Sequence, residues 1–420
     1  MTVRFMSRPA AVLLGAAALI ATAGAVTVPV ASAAPHPNVV RHHFSAAAAS
    51  FQGAETVAQR VNRLDAATAD LPALTKAYDV VPLWNSGTTG AGTTIATLVS
   101  YGDPQIKQVI DAYDAEHGLP PADVSTIQPS GEVPTCDNAG ASKADCQQWA
   151  GETDLDVAMI HVMAPAAKIV VAATPVAETE GFTGMPEMMQ AIDYMTEHHI
   201  VNVISMSFAT TEETFPSFDS IKTLDGTLQR ASQAGVTLVA STGDQGATGY
   251  ETDGVTLFPY RAVNWPASDT NVTALGGTVL NLDAQGNRIS PDVLWQPSGG
   301  GVSKAYARPD WQAPVNSGPM RSLPDITMEG TSGTSESAPL FAGVLALAVQ
   351  LHNGNLGQIN PALYAIGQHA ADAGIVDVTS GDNSYGGVDG YSAGPGFDTA
   401  SGWGTVDVAK FVPALSGAVS

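Results

Sequence analysis

Cysteine and positive charge are both scarce in this chain. Its 420 residues hold two cysteines, and 17 Lys and Arg stand against 40 Asp and Glu, for a formal net charge of −23. A surface so acidic repels phosphate backbones, which excludes nucleic acid as a partner class. It also suits a protein that must stay soluble where carboxylates are partly protonated. Two cysteines cannot staple a small disulfide scaffold, and without nearby histidines they do not make a zinc site. Charged residues are only 14% of the chain and hydrophobic ones 45%, which argues against disorder and for a packed fold. Beyond the N-terminus, no stretch reads as long and apolar enough to span a membrane.

The first 35 residues carry only two charges, Arg4 and Arg8. An apolar stretch from Ala10 to Val30 follows, and Ala31-Ser32-Ala33 fits an A-x-A cleavage site. This pattern predicts a secretory signal peptide over residues 1–33, against the alternative of an uncleaved anchor. Its removal shifts the charge from −23 to −25. In an exported chain, Cys136 and Cys146 are expected to form one disulfide across a loop, the alternative being two free thiols. Residues 34–71 are Ala-rich and polar, with one short helical pattern around Glu55–Leu64, and read as a leader or linker.

From Leu74 onward the apolar pattern alternates in period. Strand-like runs at Thr93–Ser100, Lys168–Thr174, Val201–Ser207 and Val236–Ser241 are separated by helical patterns. Those helices are expected at Gln105–His117, Trp149–Met163, Met185–His198 and Ser220–Ala234. Continuous β-branched strands alternating with helices predict an α/β fold: a doubly wound parallel sheet with helices on both faces, in one large domain over residues 72–420. In such sheets sites form beyond the carboxyl ends of the strands, so the loops after Val99, Ser207 and Ser241 are the places to look.

The strongest local signal is Gly333-Thr334-Ser335-Glu336-Ser337-Ala338-Pro339, directly before an apolar helix. A hydroxyl at a helix N-terminus sits where free N–H groups and the dipole favour developing negative charge. Ser335 is thus a candidate nucleophile, the alternative being a Ser/Thr cap on a core helix. A serine needs a base. None of the nine histidines lies in an HGT or HExxH segment, and each reads more simply as a surface or core residue. The carboxylates are more telling. Glu152 and Asp156 in Gly151-Glu152-Thr153-Asp154-Leu155-Asp156 are four apart, so they share a helix face. Asp156 stands where the helix turns apolar, which suggests burial. Two such carboxyls tend to share a proton, although an acidic helix N-terminus reads the same way. Asp244, in Ser241-Thr242-Gly243-Asp244-Gln245-Gly246, follows a buried strand, with an ordinary turn as its alternative.

Together these pieces resemble the sedolisins, the serine-carboxyl peptidases of the subtilisin-like superfamily. Ser332–Pro339 is similar to the family's SGTSxSxP, Gly151–Asp156 to its glutamate–aspartate helix, and Gly243–Gly246 to its GDxG loop. Trp265-Pro266-Ala267, Gly276-Gly277-Thr278, Ser298-Gly299-Gly300-Gly301 and Pro324-Asp325 occur in the family's order. The resemblance spans about residue 74 to the C-terminus. It implies Ser335 as nucleophile, Glu152 as general base, Asp156 as the group orienting it, and Asp244 as an oxyanion-hole acid. Asp377, Val378, Gly394, Gly396 and Asp398 match the family's calcium site, which implies one structural Ca2+ in an oxygen cage.

The implied activity is secreted, acid-acting endopeptidase chemistry on protein or peptide substrates, by a monomer with no membrane contact after signal removal. A tripeptidyl aminopeptidase and a catalytically silent binding protein are the alternatives. Two departures stand out. The leader is too short for the family's folded prodomain, so residues 71–420 are expected to fold without it. Phe208-Ala209 also replaces the Trp-Gly that many members carry, which bears on subsite preference.

Overall fold

The computed structural model describes residues 55–68, 71–138, 143–283 and 285–419. The signal-peptide reading for residues 1–33 lies outside them. Seven parallel strands build the central sheet: β1 (Thr94–Ser100), β2 (Asp123–Ile127), β3 (Lys168–Thr174), β4 (Val203–Met206), β5 (Thr237–Ser241), β6 (Thr273–Val279) and β7 (Ile326–Glu329). Their order is β7-β6-β5-β4-β1-β3-β2, with every neighbouring pair parallel. A two-residue strand, Val293–Leu294, adds antiparallel to β6. The central strands are buried along nearly their whole length, which explains why they read as continuous apolar runs rather than as alternations.

The longer helices that frame the sheet are α1 (Val57–Ala67), α2 (Ile106–His117), α3 (Lys143–Met163), α4 (Met185–Glu197), α5 (Asp225–Gln233), α6 (Thr334–His352) and α7 (Val408–Ala418). Helices α3 and α6 pack on each other and on the strands, while α4 and α5 pair and cover the sheet elsewhere. The α3–α6 crossing is close because Gly343 has no side chain. A Cβ there would lie 2.6 Å from the Met163 Cβ and 3.0 Å from the Ile160 carbonyl oxygen. Among the described residues, α6 is long and apolar enough to cross a bilayer by length and composition, contrary to the sequence expectation, but it is the buried core helix.

Several boundaries move. Helix α3 starts at Lys143, earlier than Trp149, so Cys146 falls on its first turns. Cys146 is bonded to Cys136. The helix expected over Ser220–Ala234 is broken into Phe218–Ile221 and α5. The described part of the stretch read as leader, from residue 55 on, packs into the fold. Thr56 and Gln59 close a reciprocal cap at the start of α1. The helix then buries Arg60, Val61, Arg63 and Leu64 against the rest of the chain.

Candidate active site

All seven strands run the same way, so the loops that follow them gather at one edge of the sheet. Four carry the candidate residues or their supports: 101–103 after β1, Ser207 after β4, 242–246 after β5 and 330–333 after β7. Gly333, at φ 104°, caps α6 and turns the chain so that Thr334 and Ser335 open the helix.

Ser335 is almost fully buried, at 3% exposure. Its hydroxyl donates to the Ser207 carbonyl oxygen at 3.4 Å, and the Ser207 hydroxyl approaches the Ser335 carbonyl oxygen at 3.5 Å. The same Ser207 hydroxyl donates to Asp156 Oδ1 at 2.7 Å. Asp156 Oδ2 accepts a short hydrogen bond from the Thr97 hydroxyl on β1. Asp156 is wholly buried. Burial pushes its carboxyl up to about 7, and the two hydroxyl donors only partly oppose that. Glu152, one turn earlier on α3, is also wholly buried.

On the other side of Ser335, Asp244 is half-buried. It is tied to the residue just before the serine: the Thr334 N–H and hydroxyl both donate to its Oδ1, at 2.8 and 2.9 Å. The Thr334 hydroxyl also accepts from the Gly243 N–H at 3.0 Å. Gly243 has φ 95° and lies against Asn264, whose amide donates to the Thr242 carbonyl at 2.8 Å. A side chain at Gly243 would collide with that amide.

The structure therefore joins Ser335, Asp156 and Asp244 through single intervening residues and puts Glu152 on the same helix face as Asp156. Sequence reasoning did not single out Thr97, Ser207 or Thr334. The signal was present for Thr97, a polar residue inside an otherwise apolar buried strand. No histidine is a hydrogen-bond partner of Ser335 among the described residues. His161, five residues beyond Asp156, instead bonds the Pro120 carbonyl at 2.8 Å and faces Asp114 at 3.3 Å.

The C-terminal loops also converge. The Gly396 N–H donates to Asp377 Oδ2, and the Gly394 N–H donates to Asp398 Oδ2, both at 2.8 Å. The Val378 carbonyl accepts from the Ser401 hydroxyl at 3.3 Å. Asp377 Oδ1 is buried without a hydrogen-bond partner among the described residues.

A family profile described as the subtilase family matches residues 92–404. The chain belongs to the subtilase family. Its resemblance to the sedolisins is borne out as well. It is 28% identical over 353 residues to sedolisin of Pseudomonas sp. (strain 101), covering 78% of this chain and 58% of that protein. It is 29% identical over 362 residues to kumamolisin of Bacillus sp. (strain MN-32), covering 78% and 61%. It is 30% identical over 249 residues to human tripeptidyl-peptidase 1, covering 50% and 42%. The fold superposes on the solved structure of Pseudomonas sedolisin with a TM-score of 0.70 at 28% identity, covering 83% of this chain and 98% of that one. The matched part thus spans about three-fifths of the full length of sedolisin and kumamolisin.

Proposed function

We propose that the protein is a secreted serine-carboxyl endopeptidase that works in acid. The observation carrying this reading is the placement of Ser335 at the N-terminus of α6 between two carboxyls. Asp244 is held through Thr334, and Asp156 through Ser207. In the reaction, Ser335 Oγ attacks the scissile carbonyl carbon and its proton passes to Glu152. The oxyanion is met by a protonated Asp244 and by the helix N-terminus. Collapse expels the amine, to which Glu152 returns the proton. Water, with Glu152 again as base, then releases the acyl group from Ser335.

The buried Asp156 supports this division of labour. A carboxyl pushed up to about 7 by burial is protonated in acid, which lets its neighbour Glu152 carry the negative charge a base needs. Asp244 can donate to an oxyanion only when protonated, which also requires acid. Export is supported by the signal-like N-terminus and the Cys136–Cys146 bond.

Asp377, Val378, Gly394, Gly396 and Asp398 offer only oxygens, including one buried carboxylate oxygen without a hydrogen-bond partner. That donor set fits a hard cation, and we propose Ca2+ there as a structural ion. Its contribution would be to hold the C-terminal loops together, with no part in the bond-breaking steps.

Human tripeptidyl-peptidase 1 among the relatives keeps an exopeptidase reading in play. Digestion of a denatured protein at acid and neutral pH, followed by mass spectrometry, decides between them. Internal fragments at acid pH support the endopeptidase. A ladder of N-terminal tripeptides supports the second reading. An absence of products at any pH defeats both and leaves a binding protein on this fold.

A further inference from the structure

Asp154 lies on α3 between Glu152 and Asp156, with its side chain sealed from solvent. A carboxyl that deep needs polar partners: burial pushes it up to about 7 even with arginines beside it, and those partners come from the stretch that reads as a leader. Arg60 on α1 grips it with both ends of its fork: Nε donates to Oδ2 at 2.8 Å and Nη2 to Oδ1 at 2.5 Å. Arg63 adds a bond to Oδ2 at 3.0 Å. Arg60 also bonds Asp103 at 2.7 Å in the loop after β1, and β1 carries the Thr97 that bonds Asp156. At its other end α1 meets the nucleophile loop, where the Ala67 carbonyl accepts a hydrogen bond from the Ser332 hydroxyl, three residues before Ser335. One short helix is thus bonded to the helix of the base, to the loop beside its orienting strand and to the loop of the nucleophile.

We propose that residues 55–68 are retained in the mature enzyme and that Arg60 is a positioning residue, fixing α3 so that Glu152 and Asp156 face Ser335. The proposal rests on the catalytic roles given above to Ser335 and Glu152. It runs against the sequence expectation that this stretch is dispensable. Cutting α1 away would leave Asp154 and Asp103 without the guanidinium that joins them, beside the catalytic turn.

Two experiments on the full chain test it. The first is mass spectrometry of the N-terminus of the purified active enzyme. A start at or before Glu55 is expected, and a fully active species starting near Leu71 overturns the proposal. The second compares kcat, KM and melting temperature across variants. Arg60→Gln leaves Asp154 with Arg63 alone and takes the guanidinium from Asp103, and can fail to fold, so it is paired with Asp154→Asn, which removes the buried acid together with the arginine. The double variant is expected to melt near the parent while kcat falls roughly tenfold or more at unchanged KM, because small misplacements of catalytic groups are costly. Arg60→Lys, which keeps the charge and loses the fork, is expected to fall between. A double variant with parental kcat reduces the clamp to a structural contact and overturns the positioning role. Glu152→Gln run alongside separates the two ideas. If Glu152→Gln turns over normally, the base assignment is wrong. If it is inert while the Arg60 variants keep full kcat, only the positioning role fails.

Discussion

Thr334 gives two hydrogen bonds to a single oxygen of Asp244, one from its N–H at 2.8 Å and one from its hydroxyl at 2.9 Å. With Oδ1 accepting both, the proton of the acid proposed above would sit on Oδ2. Because Thr334 immediately precedes Ser335, the proposed nucleophile and the proposed acid are held as one unit. Asp244→Ala should therefore lower kcat by about 10²–10³-fold, the usual cost of one oxyanion donor. Asp244→Asn keeps an oxygen for Thr334 and supplies an N–H donor that does not titrate. It should retain more activity than Asp244→Ala and extend what remains toward neutral pH. Kinetics from pH 3 to 8 check this, and an Asn variant with the parental pH limit would remove Asp244 from the oxyanion site.

Among the described residues the Ser335 hydroxyl makes one long hydrogen bond, at 3.4 Å to the Ser207 carbonyl, so the fold owes it little. Ser335→Ala should lose all detectable peptide cleavage while shifting stability by less than about 1 kcal/mol. Circular dichroism and a melting curve beside the peptidase assay test both halves. Turnover by a folded Ser335→Ala protein would end the acyl-enzyme mechanism.

Stability should also depend on pH in a particular direction. Burial raises the carboxyls of Asp156 and Asp269 to about 7 and that of Glu336 well above its ordinary value. Each therefore holds a proton in the native state over a range where the unfolded chain has lost it. Stability then falls as pH rises. The contributions of Asp156 and Asp269 are complete below the unfolded value near 4 and are lost as pH climbs through about 7, and that of Glu336 is lost in the same direction. Exposed Asp137, Asp253 and Asp283 shift the opposite way, but they are solvated and weigh little. Melting temperatures should be higher near pH 4 than near pH 7.5. A curve that rises toward neutrality would show that these carboxyls are charged in the native state.

Much of this was legible from residue types alone. The strand Lys168–Thr174 was read to the residue because it is buried on both faces and bounded by Pro165 and Pro175. The strands Asp123–Ile127 and Ile326–Glu329 were not read, nor was Thr273–Val279, whose apolar run is broken by Gly276 and Gly277. The first is an edge strand with mixed burial, and the second is only four residues long. Ser335, Asp156 and Asp244 stand out as candidates because each sits at a change of pattern: an apolar helix begins, a helix turns apolar, a strand ends. Ser207 and Thr97 make their bonds to Asp156 across 51 and 59 residues, and no local pattern reports such distant pairings. Helix α1 is legible as one short helical pattern around Glu55–Leu64. What escaped was that two arginines on its inward face have a buried acid to meet, since Asp154 is 94 residues from Arg60.

Gly343 tests whether the crossing of α3 and α6 sets the site. Its added Cβ would stand 2.6 Å from the Met163 Cβ and 3.0 Å from the Ile160 carbonyl oxygen, so the helices must part. Gly343→Ala should destabilise by about 1–3 kcal/mol despite the better helix propensity of alanine. Because one helix bears Ser335 and the other Glu152, kcat should fall too. A variant as stable and as active as the parent would mean that the helices separate without disturbing the site.

The calcium proposal turns on Asp377 and Asp398, which reach the loop through Gly396 and Gly394 N–H groups at 2.8 Å. Asp398 is held further by the Ala400 and Ser401 N–H groups, both on Oδ1 at 2.8 Å. Its position is therefore fixed by backbone whether or not an ion is bound. Asp377 keeps a buried Oδ1 without a hydrogen-bond partner, so its placement is where an ion would matter most. An ion that binds only the native state stabilises it by about 2.7 kcal/mol at a hundredfold excess over Kd. Chelator should lower the melting temperature of the parent by a few degrees, and added Ca2+ should restore it. Asp377→Asn should melt lower from the start and respond little to either addition, while metal analysis of the purified parent should give one Ca2+ per chain. A parent protein without bound metal and indifferent to chelator would leave these loops held by backbone hydrogen bonds alone.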